Sequence, residues 1–435
     1  MRQSGRAIEV FRLPGRPCRR RHAFHQKGLA RLTKRILVTD GETRLALSIV
    51  RSLGRAGFRP FVCATSSRCV AGASRFAERE EVVPEPLTDP EGFAAAVLRL
   101  VREWKIDVVQ PVSEPAHIAL LGSREQFKGV VLPPCTLDSF LALTDKPRVL
   151  AAGRDVGIAV PEHTLLASPA AANDAVLPAF PVVIKPARSI NHGALHKVAY
   201  ADDQATLHSV LQKMAAQAFP VMVQRRILGY GAAVSVLRWN GKLVAAFAHR
   251  RIRENPPSGG ASVVSESVAL DTALVARSLA LLERFGWNGV AMVEFKVDEA
   301  TGEPWLMEVN PRFWGSLQLA VDAGVDFPRL FMRCMLGADV SPVTKYRVGR
   351  RLRHLWGDID RLIARVRHSR AELSLPPNAP GRVRALVEFL IPRRGQRHEI
   401  LRLGDMRPFL VETRSWFERR RERKKAVRLR RESGD

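Results

Sequence analysis

Glu294, Glu308, Asn310 and Arg312 fall within nineteen positions, on two strand-like runs joined by a turn, and no other feature constrains the architecture as tightly. GVAMVEFKV (289–297) and PWLMEVN (304–310) are rich in Val, Met, Phe and Trp, which suit a pleated, half-buried surface. The intervening DEATGE supplies turn residues, so an antiparallel hairpin is expected. Alternation places Ala291, Val293, Phe295 and Val297 on one face, with Met292, Glu294 and Lys296 on the other. In the second strand Trp305, Met307 and Val309 alternate with Leu306, Glu308 and Asn310. If the apolar faces coincide, Glu294, Glu308 and Asn310 project together within cross-strand reach. Pro311 cannot donate to a ladder, so the strand ends there and Arg312 opens a loop. Hard oxygen ligands of this kind suit Mg²⁺ (or Mn²⁺), which takes a few carboxylates together with waters and substrate phosphates. An adjacent guanidinium suits a transferring phosphoryl group.

The chain has 435 residues and a formal charge of +26, which raises the question of nucleic-acid binding. The charge is uneven. Residues 1–35 hold eleven Lys/Arg against one acid, and residues 414–435 hold ten against four. Such termini can touch nucleic acid or an anionic membrane through phosphates. The region around the hairpin is not especially basic. No apolar run approaches the ~18–20 residues of a membrane span. Five cysteines, at 18, 63, 69, 135 and 334, lack metal spacing and fit reduced thiols, so a cytoplasmic location is expected.

Strand-like and helix-like segments alternate from residue 35. RILVTDG (35–41) precedes a helix with Leu45, Ile49, Val50 and Leu53 on one stripe. FRPFVCAT (58–65), a helix over EGFAAAVLRLVREWK and IDVVQPVSE (106–114) follow, a pattern that predicts a parallel sheet. Ligands of such sheets gather beyond the strand C-termini, which marks the loops at 40–43 and 113–117, with Glu114 as a substrate contact. A second module opens with Asp145 as a helix cap, Pro147 in the first turn and Gly157 as the stop. Strands are expected at 180–187, 219–227 and 232–252, the last folded back at Asn240-Gly241, and a helix at 271–286. After residue 340 arginine-rich helices are expected at 350–367 and 381–390. The expected organisation is thus a disordered basic extension (1–34), an α/β domain (35–140), an α+β module (141–340), a helical region (341–413) and a basic tail (414–435).

Taken in order, the DKPRVL…GIAVP segment at 145–161, VVIKP (182–186), VQRRILGYG (223–231), VAMVEF (290–295) and MEVNPRFWGS (307–316) resemble the ATP-grasp superfamily, in particular its carbamoyl-phosphate synthase large-subunit branch. The resemblance spans about residues 35–340. It implies a parallel α/β pre-ATP domain followed by two α+β lobes that clasp ATP. By position, Lys146 and Lys185 would contact the nucleotide phosphates, and the backbone of Gln224, Arg225, Arg226 and Ile227 would read the adenine edge. Glu294, Glu308 and Asn310 would hold the metal ions, two in number, and Arg312 would act on the phosphoryl group. The reaction class implied is ATP-dependent ligation of a carboxylate to an amine, or to a thiol, through an acylphosphate.

The sequence departs from the family in the loop over the phosphates, ARSINHGALHKV, which has Gly193 alone where relatives are glycine-rich; Ser189, Asn191, His192 and His196 are its other donors. Outside the family pattern, His249, Arg250 and Arg251 precede a Pro-Pro-Ser-Gly-Gly loop, and the two arginines suit an acidic co-substrate. Two other readings stay open from sequence: an ATP-binding scaffold or sensor without ligase activity, and a nucleic-acid-associated protein acting through its basic ends.

Overall fold

The computed structural model describes residues 34–191, 194–195, 198–375, 379–391 and 393–432. Residues 1–33 of the basic extension, His192, Gly193 and His196 lie outside the described residues. No helix among the described residues is long and apolar enough to cross a membrane.

The first domain contains β1 (Arg35–Val38), α1 (Arg44–Arg55), β2 (Arg59–Ala64), β3 (Glu80–Val82), α2 (Pro90–Trp104), β4 (Val108–Gln110) and α3 (Glu114–Gly122). Its four strands are parallel in the order β3-β2-β1-β4. The stripe Leu45, Ile49, Val50 and Leu53 is buried against β1 and β2, whereas Leu37, Phe61 and Val109 face Val97, Leu100 and Trp104 on the other side. Thr43, Asp89 and Ser113 cap the three helices through side-chain oxygens. The loops after β1 and β4 meet beyond the strand ends, where the Ser113 amide donates to Asp40 Oδ2 at 3.0 Å.

Two helices, α4 (Leu137–Thr144) and α5 (Lys146–Asp155), lead into a smaller lobe. Asp145 caps α5 by accepting from the Arg148 amide at 3.1 Å. The lobe comprises β5 (His163–Leu166), β6 (Val182–Pro186), the short hairpin β7 (Ile190–Asn191) and β8 (Ala194–Leu195), β9 (Ala199–Ala201), α6 (Gln204–Lys213) and β10 (Val221–Arg225). Its antiparallel sheet runs β5-β10-β6-β9.

The larger lobe is built on β11 (Gly229–Trp239), β12 (Lys242–Asn255), β13 (Ala261–Val268), α7 (Thr272–Arg284), β14 (Gly289–Asp298), β15 (Pro304–Asn310), α8 (Leu317–Ala323) and α9 (Phe327–Met335). Asn240 and Gly241 make the β11–β12 turn with φ of 48° and 79°, the left-handed pair that a two-residue hairpin requires. The chain then adds β16 (Arg351–Arg353), α10 (Leu355–Arg367), α11 (Arg382–Leu390), β17 (Gln396–His398) and α12 (Arg407–Glu432). The sheet order is β15-β14-β11-β12-β13-β16-β17.

Two features differ from the sequence reading. The helix expected from residue 350 begins at Leu355, because Arg351–Arg353 pair with β13 and extend the central sheet. The basic C-terminal stretch does not separate at residue 414. It continues α12, with Trp416 buried and stacked on Trp356 at 4.3 Å between ring centroids. The C-terminal region is also fastened to the first domain: Arg51 on α1, fully buried, donates Nε to Asp405 Oδ2 at 2.8 Å and Nη2 to the Ile400 carbonyl at 2.9 Å.

Candidate active site in the cleft between two lobes

The hairpin β14–β15 sets Glu294 opposite Glu308 and Met292 opposite Asn310. The strands do not alternate strictly. A bulge at Met307 moves the pairing so that Phe295 faces Leu306, and Leu306 joins Val309 in the core beneath. Alternation alone would have put Leu306 among the acids. The bulge also turns the Met307 carbonyl toward the cleft, where Lys185 Nζ donates to it at 3.4 Å. Asn310 Nδ2 donates to Glu294 Oε1 at 3.0 Å and to Glu308 Oε1 at 3.5 Å, while its Oδ1 accepts from Arg312 Nη2 at 2.9 Å. Arg312 Nη1 is fixed by its bond to the Phe313 carbonyl at 2.9 Å.

The smaller lobe and its linker bring two cations over this face. Lys146, the first residue of α5, lies 3.7 Å from Glu308 Oε2 and donates to Ser189 Oγ at 3.0 Å. Lys185 sits at the C-terminal end of β6 and is buried. Burial lowers its pKa to about 8, with Glu308 opposing the shift and Lys146 adding to it. Burial pushes the carboxyl of Glu308 up, but Lys146, Lys185, Arg251 and Arg312 outweigh it and hold the group below its ordinary value. Glu294 is shifted the other way, raised by burial against the pull of Arg251.

Arg251 on β12 reaches Glu294 on β14 across the intervening strand β11, with Nη2 2.5 Å from Glu294 Oε2. Gly231 makes this crossing possible, since a Cβ there would stand 2.8 Å from Arg251 Cδ. Arg251 Nη1 is held by Glu254 Oε1 at 3.1 Å and the Gly260 carbonyl at 3.3 Å. Arg250 takes a different course. It pairs with Glu266 Oε2 at 2.6 Å on β13 and does not line the cleft. Glu114, at the start of α3, also falls outside the lining, but Arg312 and Lys146 lie near enough to lower its pKa against burial, which raises it overall.

The cleft has a volume of about 480 Å³. Its far end is formed by Gln224–Gly229, the segment linking the lobes. The amides of Arg225 and Arg226 donate to the carbonyls of Glu162 and Pro181, each at 2.9 Å. The guanidinium of Arg226 lies over the Tyr200 ring at 4.5 Å and that of Arg225 over Trp305 at 4.8 Å. Both side chains therefore pack against aromatic rings. Tyr200, Glu254 and Lys296 line the cleft with no sequence motif to announce them; Arg44 does so too, tied to Glu399 Oε2 at 2.7 Å. Each depends on a fold-back between distant segments.

The donor set can be tested against a magnesium nucleotide. Two carboxylates converge on one point with no sulfur or imidazole beside them, the hard oxygen ligands that Mg²⁺ requires, and Asn310, whose Nδ2 faces both acids, would add an oxygen by turning its amide over. At the other end Gln224 Nε2 is buried in the cleft wall without a hydrogen-bond partner among the described residues, a donor suited to a purine ring nitrogen. The residues fit both parts of the ligand.

This arrangement, two lobes of antiparallel sheet closing on a cationic, carboxylate-floored cleft beside a parallel α/β domain, is the ATP-grasp fold. Residues 217–356 match the family described as ATP-grasp in the biosynthetic pathway with Ter operon. The chain is similar in structure to an L-amino acid ligase from Bacillus licheniformis, at 19% identity and a TM-score of 0.56 over 69% of this chain and 74% of that one. It is also similar to N5-carboxyaminoimidazole synthetase from Staphylococcus aureus complexed with ADP (14%, TM-score 0.58, 73% and 80% covered). A biotin carboxylase–β,γ-ATP complex from Campylobacter jejuni is matched at 15% identity and a TM-score of 0.58, over 73% of this chain and 74% of that one. No curated protein matches the chain in sequence.

Proposed function

We propose that the protein is an ATP- and Mg²⁺-dependent carboxylate–amine ligase, with a thiol as the alternative nucleophile, acting through an acylphosphate. The observation that carries this reading is the convergence of Lys146, Lys185, Glu294, Glu308, Asn310 and Arg312 around one cleft. Bound MgATP would supply the electrophilic γ-phosphoryl group. Glu294, Glu308 and Asn310 would hold the metal. Lys146 and Lys185 offset phosphate charge, and Arg312, fixed at both ends of its guanidinium, stabilises negative charge as the phosphoryl group moves.

In the first half-reaction a substrate carboxylate oxygen bonds to the γ-phosphorus and the bond to the β-phosphate oxygen breaks, releasing ADP. In the second, the amine attacks the acyl carbon, the carbon–oxygen bond to phosphate breaks, and the amine loses a proton. Arg251 is the residue we assign to the acidic co-substrate, since its bond to Glu294 can be exchanged for a carboxylate once a metal ion engages that acid. With the amides of Arg225 and Arg226 engaged, readout of the base falls to Gln224 Nε2 and the Ile227 backbone.

The test is ADP release measured across a panel of carboxylate and amine pairs, with mass spectrometry on the products. A condensation product formed with stoichiometric ADP supports the assignment. Tight MgATP binding without ADP release for any pair would instead leave an ATP-binding scaffold.

A further inference from the structure

Behind the cleft, on the other face of β12 and β13, a second recess of about 350 Å³ opens between the central sheet and the helices α10 and α11. Its walls carry Arg253, Arg351, Arg361, Arg384 and Arg393, with Glu388 the one acid among them. Most of this positive charge is already paired. Arg253 meets Asp358 Oδ2 at 2.6 Å, Arg351 meets Glu266 Oε1 at 2.7 Å and Arg384 meets Glu388 Oε1 at 2.9 Å. Arg353 also spends its Nε on Asp358, at 2.8 Å.

Arg361 and Arg393 are left over: neither has a hydrogen bond or salt bridge from its side chain among the described residues. For Arg361 this is costly, because the residue is 9% exposed and its Nε is buried without a partner. Burial, followed by the neighbouring Arg253, lowers its pKa to about 10 despite the pull of Asp358. A buried guanidinium normally has a carboxylate or a bound anion beside it. Two unpaired guanidiniums match the charge of one phosphate group, which carries about −1.5 to −2 at neutral pH, and Arg binds phosphate bidentately. The recess is closed on several sides and holds roughly ten water-sized volumes, more than one phosphate fills.

We propose that this recess is a second ligand site, separate from the nucleotide cleft, that binds a phosphate-bearing small molecule (a phosphomonoester or a diphosphate) through Arg361 and Arg393. The site does not depend on the ligase reading, since none of its lining residues belongs to the cleft.

The experiment is calorimetric titration of the full-length protein with pyrophosphate and with inorganic phosphate, the nucleotide cleft first saturated with Mg²⁺ and a non-hydrolysable ATP analogue. Pyrophosphate should bind, citrate should not displace it, and Arg361→Met should weaken the dissociation constant at least tenfold. Removing an unpaired buried charge should leave the melting temperature of that variant unchanged or higher. Arg393→Ala, an exposed position, should weaken binding about threefold and provides a second reading free of any folding defect. Absence of binding to the native protein, or affinity unaltered in both variants, overturns the proposal. Vesicles of phosphatidic acid in phosphatidylcholine form the second arm: Arg361-dependent sedimentation that pyrophosphate does not compete would put the phosphate on a lipid and overturn the small-molecule assignment.

Discussion

Arg251 Nη2 stands 2.5 Å from Glu294 Oε2, so a cation from β12 already sits on one of the two acids that face each other across β14 and β15. On the proposed reading a metal ion would have to compete with this guanidinium for the same carboxylate. Arg251→Met should therefore tighten the apparent Mg²⁺ affinity in nucleotide binding by about three- to tenfold, in line with roughly 1 kcal/mol for removing a competing ion pair. The same variant should raise the KM for the acidic substrate. Magnesium titrations monitored by a fluorescent ADP analogue would reveal the first effect; weaker Mg²⁺ binding in the variant would argue against competition.

Glu308 and Arg312 lie on the half-buried floor of the cleft rather than in its supporting core. Glu308→Gln and Arg312→Ala should each lower turnover by about 10²–10³ while urea denaturation stays close to native. Near-native ADP release by both variants would sink the ligase assignment.

If Lys185 contacts the nucleotide phosphates as proposed, the burial that lowers its pKa to about 8 should make nucleotide affinity depend on pH. The group is charged at pH 7 and loses its proton as pH passes through 8, so the favourable contact is present below that point and lost above it. MgADP binding should weaken by about tenfold between pH 7 and 9.5, equivalent to roughly 1.4 kcal/mol. Lys185→Arg, which keeps its charge, should flatten the profile; an unchanged slope would assign it to another group.

Gly229 lies at the start of β11, where a Cβ would stand 1.9 Å from the Val297 carbonyl oxygen. Gly229→Ala cannot be accommodated by rotating a side chain, because the obstacle is backbone. It should cost about 1–3 kcal/mol and shift β11 away from β14, weakening nucleotide binding as well. Chemical denaturation and ADP titration on the same sample check both effects, and a fully stable variant would show that the strands part easily here.

Asp405 accepts from Arg51 Nε at 2.8 Å, Ser74 Oγ at 2.7 Å and the Arg75 amide at 2.9 Å. Asp405→Ala leaves Arg51 buried and uncompensated, and should destabilise by about 3–5 kcal/mol. The bonds that hold the Asp405 carboxyl below its ordinary range, against burial, make the native protein lose stability as pH falls through that depressed value. A thermal melt indifferent to the substitution would contradict the anchoring role.

The strands that carry the site could be read from sequence wherever their apolar pattern was long. Ala291, Val293 and Phe295 form an alternating run whose buried face is plain in the letters, and the Asn240-Gly241 turn declares its hairpin. The Met307 bulge could not be read, because Leu306 looks equally at home on either face until the register is known. Nor could the reach of Arg251 to Glu294, which requires knowing that β11 lies between their strands and that Gly231 leaves room. β16 and β17 have three residues each, too few to show a period among so many arginines. Arg250 and Arg251 are neighbours of the same type, and sequence treats them alike; the sheet sends one to Glu266 and the other to Glu294.

The tie between Arg51 and Asp405 has a temporal side. The two residues are 354 positions apart, so a growing chain exposes the first helix long before it makes the partner of that helix's buried charge. At ~5–20 residues per second, synthesis leaves this interval at roughly 20–70 s. During that interval Arg51 has no Asp405 carboxylate to meet, so the contact that fastens α1 to the C-terminal region can form only after residue 405 has been made.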